Sequence, residues 1–222
     1  MISAALSRVS AWVADPHFCL YTYASVPGAR GLVVAPNGDL FVATNGGQVR
    51  VLYDGDGNGL SDANETSTFA TLPGLNHGVA LTATHLYASA DTAVYRWTYS
   101  SGQRTAAAAA EIVVHDIGSG GHVTRTLLVD GKQRLYVSIG SASNVDAPPA
   151  PDTPSPARAV IRRYDLTKLP AGGFAATDGE LFAAGLRNEV AMAGDADDQV
   201  YGTIVDGVYA RVHASSSVDV TG

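Results

Sequence analysis

A short unit recurs four times along this 222-residue chain, and it limits the possible folds more than any other feature. Each copy is an apolar segment, a turn, and a second apolar segment: residues 31–43, 78–88, 126–137 and 190–201. An Asn-Gly or Asp-Gly pair between two apolar runs is the sequence form of a tight hairpin. The first copy keeps it as Asn37-Gly38 and the third as Asp130-Gly131. A further strand-like stretch follows each copy, at 48–53, 93–99, 159–166 and 207–213, giving three or four strands per unit. The second apolar segments begin at Leu40, Leu86, Leu135 and Val200. Their spacing is about 45 residues apart from one longer gap, which is the repeat length of propeller blades.

The longer gap coincides with residues 144–157, rich in Pro, Asp and Ser, which read as an inserted loop. With 24 Gly and 10 Pro the chain is well supplied with turns, and helical periodicity is nearly absent. The one helix-friendly patch, 104–111 with its five consecutive alanines, is short enough to be a linker turn. The expected class is therefore all-β. Units of this length cannot bury both sheet faces alone, but stacked radially as a β-propeller they can. The chain has room for about four to five such blades. An incomplete ring exposes an apolar sheet face and edges that another chain would cover. The expected organisation is an N-terminal segment 1–17, blades over 18–213, and a tail 214–222.

Charge and cysteine content narrow the function. The net charge of -7 offers no basic footprint for nucleic acid. The single cysteine, Cys19, excludes an internal disulfide framework and any multi-cysteine metal site. No apolar run approaches the roughly 18 residues of a membrane span. Residues 1–14 are mildly apolar, but Arg8 interrupts the stretch where a signal peptide needs an unbroken centre, so a terminal strand or frayed end is expected there.

Residues 54–65 (DGDGNGLSDANE) satisfy every position of the pattern D-x-[DN]-x-[DN]-G-x5-E. Alternating oxygen donors from Asp54, Asp56 and Asn58, the carbonyl of Leu60, Asp62 and a bidentate Glu65 would give calcium six or seven hard oxygens, with Gly59 allowing the sharp turn. The flanking residues read as strand, so a structural calcium loop is expected rather than a helix–loop–helix hand.

A second constellation stands at the starts of the repeats: Arg30, Asn76-His77, His122 with Arg125, and Arg187-Asn188. Equivalent positions in successive blades face the same end of a propeller axis, so these side chains would converge on one polar mouth. His17, His85, His115 and His213 have no such pattern and are expected on surfaces or loops. Tyr87, Tyr95, Trp97, Tyr136 and Tyr201 are expected in packing.

The segments at 74–81 (GLNHGVAL), 121–127 (GHVTRTL) with 135–140 (LYVSIG), and 185–190 (GLRNEV) resemble, in order and spacing, the pyrroloquinoline-quinone (PQQ)-dependent sugar dehydrogenases. The branch they are most similar to holds the sorbosone and fungal pyranose dehydrogenases. The similarity runs from about Phe18 to Tyr201, after which the chain departs from the family pattern. The resemblance implies a six-bladed propeller with PQQ over its axis, a Ca2+ ion on the quinone oxygens, and hydride transfer from a sugar hydroxyl to the quinone. It implies His122 as general base and Arg187 over the reacting quinone oxygen. It further implies Arg30 and Arg125 on cofactor carboxylates or carbonyls, and His77 and Asn188 as pocket residues. Extracellular or periplasmic location is the accompanying expectation. The alternative is a non-catalytic propeller, stabilised by its calcium loop, that binds a partner chain or a glycan. Dye-linked oxidation after addition of PQQ and calcium separates the two.

Overall fold

The computed structural model describes residues 21–143, 158–195, 197, 199–204, 209–212 and 218–221, with side chains described up to residue 203. The segment 1–17, the inserted loop 144–157 and His213 therefore lie outside the described residues.

The described residues form four sheets, three of four strands and one of five. The first holds β1 (Ala29–Val34), β2 (Leu40–Thr44), β3 (Gln48–Leu52) and β4 (Thr66–Thr71). The second holds β5 (Leu75–Leu81), β6 (His85–Ala90), β7 (Val94–Thr98) and β8 (Glu111–His115). The third holds β9 (Leu127–Val129), β10 (Arg134–Ile139), β11 (Val160–Asp165) and β13 (Glu180–Ala184). The fourth holds β14 (Glu189–Gly194), β15 (Val200–Ile204), β16 (Tyr209–Val212) and β17 (Val218–Thr221). Consecutive strands within each sheet pair antiparallel. The short β12 (Phe174–Ala175) leaves the third sheet's β11–β13 connection and pairs parallel with β8, tying the second sheet to the third.

β1 packs against β5, β5 against β9, and β9 against β14, so the opening strands of the repeats are the innermost strands about one axis. The described residues thus form four blades of a propeller. The expected patch 104–110 is irregular linker between β7 and β8. The expected tail beyond residue 213 instead contains β17, the fourth blade's outer strand.

Strand alternation builds the core, because neighbouring residues point to opposite faces of a sheet. On β6, Leu86 and Ala88 face the first blade, where they join Phe41, Val49, Val51 and Phe69. Tyr87, between them, faces the third blade with Leu135, Val137 and Ile139. On β10 the intervening Tyr136 turns to the fourth blade with Ile161, Phe182 and Val200. An edge-to-face pair of Phe69 with Trp97 spans the first junction, while Phe41 with Phe69 and Tyr136 with Phe182 pair edge-to-face within their blades. Tyr201, expected in packing, is instead 41% exposed.

The inner strands approach so closely that two positions admit no side chain. A Cβ on Gly31 would lie 2.4 Å from the His77 carbonyl oxygen. One on Gly78 would lie 2.1 Å from the Arg125 carbonyl oxygen. These contacts hold the blade starts together around the axis.

Candidate functional site

The four inner strands enclose an axial cavity of about 380 Å³ lined from Arg30 to Val33, His77 to Leu81, Thr126 to Val129 and Val190 to Met192. Its mouth is polar, with Arg30, His77 and Thr126, and its depth is apolar, with Val33, Leu81, Val129 and Met192. Arg30 is exposed and makes no hydrogen bond among the described residues, leaving its guanidinium available at the mouth.

His77 reaches across the axis. Its Nε2 lies 3.3 Å from the Val190 carbonyl oxygen and 3.3 Å from Thr126 Oγ1. A carbonyl only accepts, so Nε2 carries the proton and Nδ1 is the bare nitrogen. Burial, then the neighbouring Arg30 charge, pulls the His77 pKa below the ordinary value, although the bond to Val190 opposes this. A neutral imidazole results. Thr126 Oγ1 in turn donates to the Glu189 main-chain oxygen, so blades two, three and four are tied at the mouth.

His122, like Arg187 and Asn188, is not among the residues that line this cavity. Its Nδ1 lies 2.9 Å from the Ser141 carbonyl oxygen and 3.1 Å from Ser141 Oγ. The carbonyl fixes the proton on Nδ1 and leaves the Nε2 lone pair, which has no partner among the described residues, as a proton acceptor. The Ser141 amide donates to the Arg187 carbonyl oxygen at 2.7 Å. One residue therefore registers His122 and Arg187 together, although they are far apart in sequence. Gly140 makes room, since a Cβ there would lie 2.5 Å from His122 Cβ and 3.0 Å from Asn188 Oδ1. Asn188 is buried and accepts from Thr124 Oγ1 at 3.2 Å, and Asn76 Nδ2 donates to the Val123 carbonyl oxygen at 3.0 Å.

Arg125 has a different place. It is 1% exposed, and its five N–H groups reach five acceptors. Nε donates to the Asp91 carbonyl oxygen, Nη1 to those of His122 and Thr124, and Nη2 to Asp91 Oδ1 and the Gly118 carbonyl oxygen. No donor remains for the expected cofactor contact. Burial lowers the Arg125 pKa while Asp91 raises it. The residue braces the backbone of His122 from behind.

The acidic loop lies elsewhere. Residue 29 pairs with Thr44 at one end of the first blade, and Val34, Leu40, Leu52 and Thr66 line up at the other. Residues 54–65 join Leu52 to Thr66, so the loop lies at the end of the blade opposite Arg30. At roughly 3.4 Å per residue, β3 alone separates the two ends by about 14 Å. An ion in this loop is out of reach of a ligand at the mouth.

Ligand atoms of Asp54, Asp56 and Glu65 lie within 4.8 Å of one another, the one such cluster among the described residues. Asn58 Nδ2 donates to Asp56 Oδ2 and Asp62 Oδ2, drawing those side chains into the same group. Asp54 Oδ2 accepts from the Gly59 amide, and the buried Glu65 accepts from the amides of Gly55, Asp56 and Asp62. The amide of Leu60 bonds Asn58 Oδ1. The donors are hard oxygens, the set that suits calcium.

Glu189, between the Arg187-Asn188 pair and the fourth apolar repeat, belongs to no metal or catalytic motif that the sequence displays. It is fully buried, and burial pushes its pKa up to about 7.

Comparison with known proteins places the chain in a family. A "Pyrroloquinoline quinone-dependent sugar dehydrogenase" of Hypocrea jecorina is 36% identical over 172 residues, covering 73% of this chain and 39% of that protein. A calcium structure of a Trichoderma reesei carbohydrate-active enzyme of family AA12 superposes with a TM-score of 0.72 at 29% identity, over 86% of this chain and 48% of that one. The holo PQQ domain of a pyranose dehydrogenase from Coprinopsis cinerea, at 24% identity, shares the fold with a TM-score of 0.72, over 87% and 47% of the two chains. The present chain thus spans less than half the length of these relatives. The TrAA12-like family pattern matches residues 16–219, beyond Tyr201, the expected end of the similarity. The chain belongs to the TrAA12-like family.

Proposed function

We propose that the axial mouth binds PQQ and supports oxidation of a sugar hydroxyl, a pyranose or other aldose. The observation that carries this reading is the His122 imidazole: Nδ1 held by Ser141, Nε2 unpartnered, and Arg187 fixed to the same Ser141. When bound, the quinone would supply the hydride acceptor and a calcium ion would supply polarisation. The residues suit a flat polyanion. Arg30 offers an unengaged guanidinium at the mouth for a carboxylate.

In this reading His122 Nε2 takes the hydroxyl proton, and a fixed Nδ1–H bond to Ser141 stabilises the imidazolium that forms. Arg187 stabilises negative charge developing on the acceptor. His77 and Asn188 orient the site, and Arg125 positions His122 without touching the ligand. The acidic loop holds a separate, structural calcium ion. Val33 packs into the junction with the second blade, while Leu32 and Val34 on the opposite face of β1 are 63% and 61% exposed. We assign that face to a protein partner or to further blades. The proposed location is extracellular or periplasmic; no helix among the described residues is long and apolar enough to cross a membrane.

The test is reconstitution with PQQ and calcium, followed by dye-linked oxidation of pyranoses. His122→Gln is expected to lower kcat by about 10²-fold or more, as loss of a general base does, with quinone affinity within about threefold of the parent. Arg30→Ala is expected to weaken quinone binding. Absence of quinone binding by the parent chain would leave the non-catalytic, partner- or glycan-binding propeller.

A further inference from the structure

Glu189 has no exposure, and neither carboxyl oxygen has a hydrogen-bond partner among the described residues. The bulge between Glu189 and Ala191 puts this side chain on the same face as Gly202. A Cβ built on Gly202 would lie 1.7 Å from Glu189 Oε1 and 2.6 Å from Cδ, so the missing side chain is what makes space for the carboxyl. That face is turned to the third blade, because Val200 and Met192, which flank Gly202 on it, pack with Tyr136, Ile161 and Phe182. Ser138 shares the Tyr136 face of β10 and is likewise buried. Thr126, from the third blade, bonds the Glu189 main chain at the same junction.

Burial raises the Glu189 pKa, and no charged neighbour among the described residues offsets it. Buried ionised groups in folded proteins are paired, neutralised by a proton, or bound to a metal. We propose that the Glu189 carboxylate, in the hollow over Gly202, is the charged ligand of a hard-cation site between the third and fourth blades. A carboxylate oxygen is a hard donor, which selects calcium or an alkali-metal ion over softer metals. The site is separate from the loop at 54–65 and does not depend on the oxidation chemistry.

The test uses the full chain without quinone, comparing the parent, the Asp54→Asn/Asp56→Asn double variant and Glu189→Gln. Thermal unfolding is followed in calcium, sodium and potassium chlorides at constant ionic strength, with choline chloride as the inert reference. Bound calcium is counted by equilibrium dialysis. The double variant is expected to keep a Tm rise of several degrees in at least one of the three cations, and the identity of that cation separates calcium from an alkali-metal site. Glu189→Gln, which is nearly isosteric and removes the unpaired charge, is expected to fold and to lose that response when combined with the loop variant. A double variant indifferent to all three cations overturns the proposal without reference to any Glu189 variant. So does a response that survives Glu189→Gln, and protonation alone then accounts for the carboxyl.

Discussion

Replacement of Arg125 by lysine separates a bracing role from a cofactor contact. The guanidinium makes five hydrogen bonds, all to protein acceptors, from a side chain 1% exposed. A lysine ammonium has three donors at one point and cannot span Asp91, Gly118, His122 and Thr124 together. At least two bonds are lost, and each buried acceptor left unmade costs about 1–3 kcal/mol. Asp91 is 29% exposed, so water repays part of its loss. The expected destabilisation is about 3 kcal/mol for Arg125→Lys, and about 5 kcal/mol for Arg125→Ala, which also leaves the ion pair broken. Urea unfolding with linear extrapolation measures it, with an unchanged slope showing that the denatured state is the same. A loss under about 0.5 kcal/mol would refute the five-bond network. Lost quinone affinity at unchanged stability would restore Arg125 as a cofactor ligand.

Gly78→Ala drives a methyl to 2.1 Å from the Arg125 carbonyl oxygen, which no rotamer change relieves. It is expected to cost about 3 kcal/mol, while Gly131→Ala, with nothing within 4 Å, serves as a neutral control in the same denaturation assay. The Arg104 bond holds the Asp39 carboxyl below its ordinary value of 3.8, although burial opposes it. A depressed carboxylate contributes above its unfolded pKa, and the contribution is lost as pH falls through the folded value. Because Arg104 is 38% exposed, Asp39→Asn should cost only about 1 kcal/mol at pH 7, with the gap from the parent closing below about pH 4 in acid titrations. Calcium at about 100 times its dissociation constant should stabilise the parent by about 2.7 kcal/mol through the acidic loop. A chelator should reverse this, and Asp54→Asn should remove the loop's share; a calorimetric scan unchanged by calcium would contradict the loop assignment.

Residue types fix some features before any folding. Hairpin turns such as Asn37-Gly38 and Asp130-Gly131, and strands such as β3, β7 and β11, are legible because turn preference and alternation are local properties. The acidic loop is legible for the same reason, since its donors follow one another within twelve residues. The outer strands β4, β8, β13 and β17 carry weaker signals. They lie at the blade margins, where one apolar pattern no longer meets dense neighbours on both sides.

What the chain order could not decide is which polar side chains are spent and which are free. Arg30 and Arg125 occupy matching places in their repeats, yet one is an open cation and the other is saturated, because Asp91 and the 118–124 backbone reach only the second. Ser141 joins His122 to Arg187 by main-chain geometry that no side-chain motif encodes. The opposite ends assigned to the calcium loop and the mouth follow from strand register, and the stranded Glu189 follows from a bulge. Local sequence determines where hydrogen-bonding groups stand along a strand; only the packing of blade on blade determines which of them water, or a ligand, can still reach.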